Sequence, residues 1–128
     1  MRLLLDTCTF LWLAGGGRSL STAAAAAIQT ASNDVLLSAV SVWEITNKYH
    51  DGTLTLPEPP ERLIPIERHL RGIVSLEFDE ESALQSRKLP SLHRDPFDRM
   101  LISQAIAHGL AIVTPDPSIA QYPVRVIW

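Results

Sequence analysis

At 128 residues, with 46% hydrophobic and 20% charged residues, the chain reads as one soluble globular domain over residues 1–128, long enough to bury a core without disulfides or a structural metal. A formal net charge of −3 argues against a surface broadly coated for nucleic acid, though it leaves one local groove open to that role. The lone Cys8 excludes an intramolecular disulfide, no apolar run is long enough to span a membrane, and no signal-peptide pattern opens the chain, so a cytoplasmic protein is expected.

The chain begins with a short apolar run, Arg2 to Leu5, whose length and branching suit a buried parallel strand ending at Asp6. Phe10 to Leu13 predicts a short apolar helix stopped by Gly15, Gly16 and Gly17. Ser21 is the expected N-cap of a helix from Thr22 to about Ala31. Val35 to Ser38 is a second strand. Ser41-Val42-Trp43-Glu44 has capping-box spacing and predicts a helix start, with the helix running to about His50. Thr53 to Ile66 contains Pro57, Pro59, Pro60 and Pro65 and reads as a stiff connection with a short helix from Glu61, tacked to the core by Ile64, Ile66 and Leu70. Ile73 to Leu76 is a strand, Asp79 caps a helix through about Arg87, and Leu89 to Arg94 is a loop.

The next stretch, DPFDRMLISQAIAHG, carries the clearest helix signals in the chain. Asp95 is an N-cap, Pro96 takes the first helical position where its missing N–H is harmless, and Gly109 ends the helix. Phe97, Leu101, Ala105 and His108 share one face, flanked by Met100, Ile102 and Ile106, which predicts extensive burial. Asp98 lies in the first turn, where the macrodipole favours an acid. Leu110 to Thr114 is a strand, Thr114-Pro115-Asp116-Pro117 turns into a short helix, and Val124 to Ile127 is a last strand. Strands alternating with helices predict a three-layer α/β/α sandwich around a parallel sheet.

In such a sheet, sites form beyond the carboxyl ends of the strands, where strand order reverses. Asp6 follows the first strand and Asp116 the Leu110 strand; Glu44 and Asp98 lie in helices next to these strands. Each acid has a local explanation as a turn, capping-box, first-turn or N-cap residue. Those explanations leave open why four of them should meet at one sheet edge. Clustered carboxylates repel unless a cation neutralises them, and an all-oxygen set selects a hard divalent ion, Mg²⁺ or Mn²⁺. Such a site suits phosphodiester hydrolysis. Thr7 and Thr114 offer hydroxyls for weak ligation or for a metal-bound water. Arg94 and Arg99 are placed to hold a substrate backbone, whereas Arg87 and Lys88 read as a solvated face. His50, His69, His93 and His108 show no metal-cluster spacing, Cys8 reads as a small buried hydrophobe, and Trp12, Trp43 and Trp128 as core or interface residues.

Four segments, LLLDTCTFLWLA, SVWEITNKYHDGTLTLP, HRDPFDRMLISQA and IVTPDPSIAQYP, appear in an order that resembles the PIN-domain ribonucleases, and among them the VapC-type toxins of bacterial toxin–antitoxin modules. The resemblance covers nearly the whole chain. It implies a sheet of order 3-2-1-4-5, Mg²⁺- or Mn²⁺-dependent RNA cleavage, and acids carried by Asp6, Glu44, Asp98 and Asp116. Asp95 matches a further acidic position of the family. Many relatives have Asn where this chain has Cys8, so no role carries over to that position. A homodimer is also implied, as is a small antitoxin whose C-terminal segment covers the acidic crevice. The large side chains of the Phe10 to Leu13 helix, of Trp43, Ile45 and Tyr49, and of Leu54 to Leu56 supply an apolar surface for that segment. An aspartyl-nucleophile phosphatase would need a second Asp where Cys8 stands, and a receiver-like module would need an acidic pair that is missing. A non-catalytic binding module of the same fold would be betrayed by a lost acid, and none is lost.

Overall fold

The structure is a computed structural model and describes residues 1–92 and 95–128. Five parallel strands form one sheet in the order β3-β2-β1-β4-β5, the order the resemblance implied. They are β1 (Arg2–Leu5), β2 (Asp34–Ser38), β3 (Val74–Leu76), β4 (Ala111–Val113) and β5 (Val126–Ile127). Around them run α1 (Thr7–Ala14), α2 (Thr22–Gln29), α3 (Ala39–His50), α4 (Pro60–Arg71), α5 (Glu80–Gln85) with a 3₁₀ turn over Ser86–Lys88, α6 (Pro96–His108) and α7 (Pro117–Ala120).

The apolar run of β1 is central because both its neighbours are strands: Leu4 is in register with Leu36 of β2 and with Ile112 of β4. Alternate side chains therefore serve opposite faces. Leu3 and Leu5 enter one core with Phe10, Leu37, Ile45 and Val113. Leu4 enters the other with Leu36, Leu101, Ile102 and Ile112. All three leucines are fully buried, each worth about 1.5–3 kcal/mol of burial, and this anchors the strand whose end presents Asp6.

Four elements depart from the expectation. α1 begins at Thr7, directly after β1, and α3 begins at Ala39, directly after β2. The cap of α3 is Ser38, whose hydroxyl accepts the Val40 N–H at 3.0 Å, so Ser41 is not the cap. Strand and helix join without a loop, and the capping-box spacing of Ser41 and Glu44 falls one turn inside the helix. The Pro57 to Ile66 region is more helical than its prolines suggest. Pro60 takes the first position of α4, and Pro65 lies in the second turn, exposed like Glu61, so water can take up the carbonyl that proline leaves without a donor. The buried face of α4 is Leu63, Ile64 and Glu67, while Ile66 and Leu70 are exposed rather than tacked to the core. α5 ends at Gln85, short of Arg87, because the chain tightens into the 3₁₀ turn.

α6 forms as its end signals dictate. The Asp95 carboxylate accepts the N–H groups of Phe97 at 2.9 Å and Asp98 at 3.3 Å, and Gly109 closes the helix in the left-handed conformation at φ 66°. Its buried residues include the polar Ser103 and Gln104. Gln104 accepts the Ser38 hydroxyl at 2.5 Å and donates to the Glu77 carbonyl at 2.9 Å, so one side chain ties α6 to the cap of α3 and to the chain after β3. No described helix is long and apolar enough to cross a membrane.

Candidate active site

Strand order reverses at β1, which lies between β2 on one side and β4 on the other. A cleft of about 400 Å³ opens at that edge. Asp6, Glu44, Asp95, Asp98 and Asp116 all line it, together with Thr7, Cys8 and Lys48. Each acid arrives from a different place: Asp6 from the end of β1, Glu44 from α3, Asp95 and Asp98 from the start of α6, and Asp116 from the start of α7.

Asp6 is the most constrained of them. Its backbone caps α1, with its carbonyl accepting the Phe10 N–H at 3.0 Å, but its side chain takes no part in the cap. The carboxylate instead accepts the Thr114 hydroxyl at 2.6 Å and the Cys8 thiol at 3.4 Å. Burial pushes its pKa above the usual carboxylate range; the hydrogen bonds from Thr114 and Cys8 pull back against that, and the charge of Glu44 pushes further up. Cys8 is pushed up to about 12, first by burial and then by the Asp6 charge, so it is a neutral thiol that donates to Asp6 and not a nucleophile. It is half-buried rather than fully so.

Thr114 links two acids, because its hydroxyl donates to Asp6 and accepts the Asp116 N–H at 3.1 Å. It is buried and does not line the cleft, so it positions acids and is not set to meet substrate. Thr7 lines the cleft, but its hydroxyl hydrogen is directed to Ser41 Oγ at 2.9 Å. Asp116 caps α7 through the Ser118 N–H at 2.9 Å. Glu44 is buried and paired with Lys48, whose Nζ lies 2.6 Å from its Oε2.

Arg99 does not line the cleft. Its guanidinium donates to the carbonyls of Pro90 at 3.0 Å and Ser86 at 3.4 Å and to the Tyr122 hydroxyl at 3.2 Å, which pins the segment before α6 instead of offering a free fork to a phosphate. Arg94 lies outside the described residues, as does His93.

Trp12 and Trp43 each meet a different aromatic ring. Trp12 stacks at a tilt on Trp128 with centroids 5.8 Å apart, and Trp43 meets Phe97 edge-on at 5.5 Å. Trp43 remains 54% exposed, while Phe10 and Ile45 are fully buried, so the apolar surface is narrower than the sequence predicted. A smaller apolar groove of about 240 Å³, lined by Ala14, Leu56, Pro57 and Leu63, adjoins the acid cleft through Leu11 and Leu54, which line both.

Sequence reasoning missed three residues around this site: Ser38, Gln104 and Lys48. Gln104 was legible as a polar residue on a helix otherwise read as buried, and Lys48 as a cation one turn beyond Glu44. It also gave no sign that His108 would gather with Asp79 and Glu81, whose ligand atoms lie within 4.8 Å of one another. His108 ends α6 and Asp79 caps α5, so this group sits at the opposite end of α6 from the cleft, with His108 Nε2 2.7 Å from Asp79 Oδ2.

Carboxylates gathered from separate elements onto the switch point of an all-parallel sheet define an acid-cleft α/β protein. The sequence model of the PIN domain matches residues 3–124, and the chain belongs to the PIN domain family. No curated protein matches it significantly. Solved structures with the same fold include VapBC2 from Rickettsia felis bound to a DNA fragment from its promoter, with a TM-score of 0.72 at 15% identity over 98% of this chain and 97% of that one. DNA-bound VapBC from Salmonella typhimurium gives 0.67 at 18% identity over 98% and 96%. FitAcB from Neisseria gonorrhoeae gives 0.59 at 22% identity over 97% and 95%.

Proposed function

We propose that this chain is a divalent-metal-dependent endoribonuclease, the toxin of a toxin–antitoxin pair. The observation that carries the reading is the convergence of Asp6, Glu44, Asp98 and Asp116 on one cleft, with Asp95 beside them. The residues fit a hard divalent cation: the donors are all carboxylate oxygens, and Asp6 is buried where its own charge and that of Glu44 work against it. Mg²⁺ or Mn²⁺ held by these acids supplies Lewis acidity toward water and the phosphodiester. Thr114 fixes the relative position of Asp6 and Asp116, and Asp95 fixes the start of α6 from which Asp98 projects. Thr7 and Arg94 are proposed contacts for the RNA. Arg99 ties α6 to the preceding segment through the carbonyls of Ser86 and Pro90.

Family membership and the VapBC neighbours support an antitoxin partner. Its segment is proposed to lie in the apolar groove that meets the cleft at Leu11 and Leu54, and a basic side chain from it would take the cation's place among the acids. A homodimer of single-domain chains in the cytoplasm completes the proposal.

The test is cleavage of a mixed RNA pool by the purified chain, with and without Mg²⁺ or Mn²⁺, and with Asp98→Asn and Glu44→Gln as controls. Cleavage that needs metal and disappears in both variants is expected. Metal-independent cleavage would overturn the metal assignment, and a protein that binds RNA but leaves it intact under every condition would favour the non-catalytic module instead.

A further inference from the structure

Lys48 is the one cation among the described residues that line the acid cleft, where it faces five carboxylates. It lies one turn beyond Glu44 on α3, and its Nζ is 2.6 Å from Glu44 Oε2. The Glu44 side chain is only 9% exposed, whereas that of Lys48 is 51% exposed, so a buried acid is paired with an ammonium carried on a solvent-exposed chain. The contrast with Arg71 and Glu67 is instructive. That pair has the same spacing and the same 2.6 Å contact, yet it lies on α4, away from the cleft. Glu67 is as buried as Glu44, so what sets Glu44 and Lys48 apart is the four further carboxylates that line the cleft with them.

We propose that Lys48 is the resident counter-ion of the metal-free cleft: it holds the Glu44 carboxylate in place, competes with the divalent cation for it, and thereby sets the metal affinity of the site. The inference rests on the reading of the cleft as a divalent-metal site. Its physical basis is simple. A carboxylate as buried as Glu44 is stable only with a partner, and the ammonium supplies one before metal arrives. When a divalent ion enters, it meets the repulsion of that ammonium or must displace it from Glu44. Two charges against one across ~6 Å of water-like dielectric correspond to about tenfold in affinity. Lys48 is thus a positioning residue that lowers metal affinity.

The experiment measures Mn²⁺ binding to the full chain by calorimetry near neutral pH and low salt, using metal-stripped wild type, Lys48→Gln, Lys48→Met, Lys48→Arg and Asp98→Asn. Lys48→Gln and Lys48→Met should bind Mn²⁺ about tenfold tighter than wild type and melt lower than wild type in chelator. Lys48→Arg should stay close to wild type in both, because the charge is kept, and the gain in the neutral variants should shrink in molar salt. Lys48→Met keeps most of the packed stem, so a fault in folding would be distinguished from the loss of charge. Mn²⁺ binding that depends on Asp98 but is unchanged or weaker in both neutral variants would overturn the competition while leaving the metal site standing. Binding that ignores Asp98 would overturn the metal site and this inference with it.

Discussion

Two neighbouring acids at the start of α6 should separate chemistry from capping. The Asp95 carboxylate accepts the N–H groups of Phe97 and Asp98, so Asp95→Ala removes the N-cap of a helix whose Leu101, Ile102 and Ala105 are buried in the core that holds Leu4. Loss of such a cap costs about 1 kcal/mol, which for a domain of this size lowers the melting temperature by roughly 4 °C. Asp98→Asn is a different perturbation. Its backbone N–H still donates to Asp95, the side chain keeps its shape, and the interaction with the helix dipole that is forfeited is worth about 0.3–1 kcal/mol. If Asp98 holds the cation, however, removing its charge should reduce cleavage by ~100-fold or more, the scale of losing one preorganised group that stabilises the transition state. The assay is the initial rate of RNA cleavage in saturating Mn²⁺, paired with thermal melts of the same preparations in chelator. Asp95→Ala should melt lower and, once folded, keep a substantial part of its activity. Asp98→Asn should melt near wild type and be inactive. An active Asp98→Asn with a lowered melting temperature would refute the assignment, since that is the signature of an acid that serves only the helix.

Burial and hydrogen bonding around Asp6, Gln104 and Cys8 set three further outcomes. Because burial holds the Asp6 pKa above its ordinary value of 3.8, this group's stability contribution is full below that pH and is lost as pH rises through the folded value. Metal-free Asp6→Asn should therefore melt higher than wild type at neutral pH, with the advantage fading toward pH 3.8 and removed by Mn²⁺; equal melting curves across that range would contradict it. Gln104→Leu should lower stability by about 2–3 kcal/mol in a denaturant titration, because it leaves the buried Ser38 hydroxyl and the Glu77 carbonyl without their partner, and a change under 0.5 kcal/mol would show that the bridge is dispensable. With its thiol pushed up to about 12, Cys8 should be alkylated far more slowly in the folded chain than in urea at mildly alkaline pH, and comparable rates would show the thiol to be ionised.

What the sequence made legible was local chemistry with strong end signals. Asp95-Pro96 and Gly109 set the limits of α6, Leu3 to Leu5 marked the central strand, and Asp6, Asp98 and Asp116 were visible because each stood where a strand or helix met a turn, whereas Glu44 lies inside α3. What it hid was the joining of elements without loops. α1 and α3 both start at the residue after a strand or its cap, so the Ser41 to Glu44 spacing imitated a helix start that lies three residues earlier. The hydroxyl of Ser41 instead receives the Thr7 hydrogen bond across α1 and α3, a contact that only the fold creates. Arg99 was misleading for a related reason. A cation next to an acid suggests a substrate contact, but the 3₁₀ turn and the residues after it bring two carbonyls within its reach. On α4 the prolines concealed a helix, because proline is tolerated where the freed carbonyl can meet water.

The central claim is that the cation binds among Asp6, Glu44, Asp98 and Asp116, and the most direct measurement is to locate it. Crystals of the full chain soaked in Mn²⁺ and measured at the manganese absorption edge give the ion's position independently of any activity. The account predicts an anomalous peak in the cleft, in contact with Asp6 and Asp98, that disappears in Asp98→Asn. A peak only at the Asp79, Glu81 and His108 group at the other end of α6, or a cleft that stays empty while the protein still cleaves RNA, would contradict it.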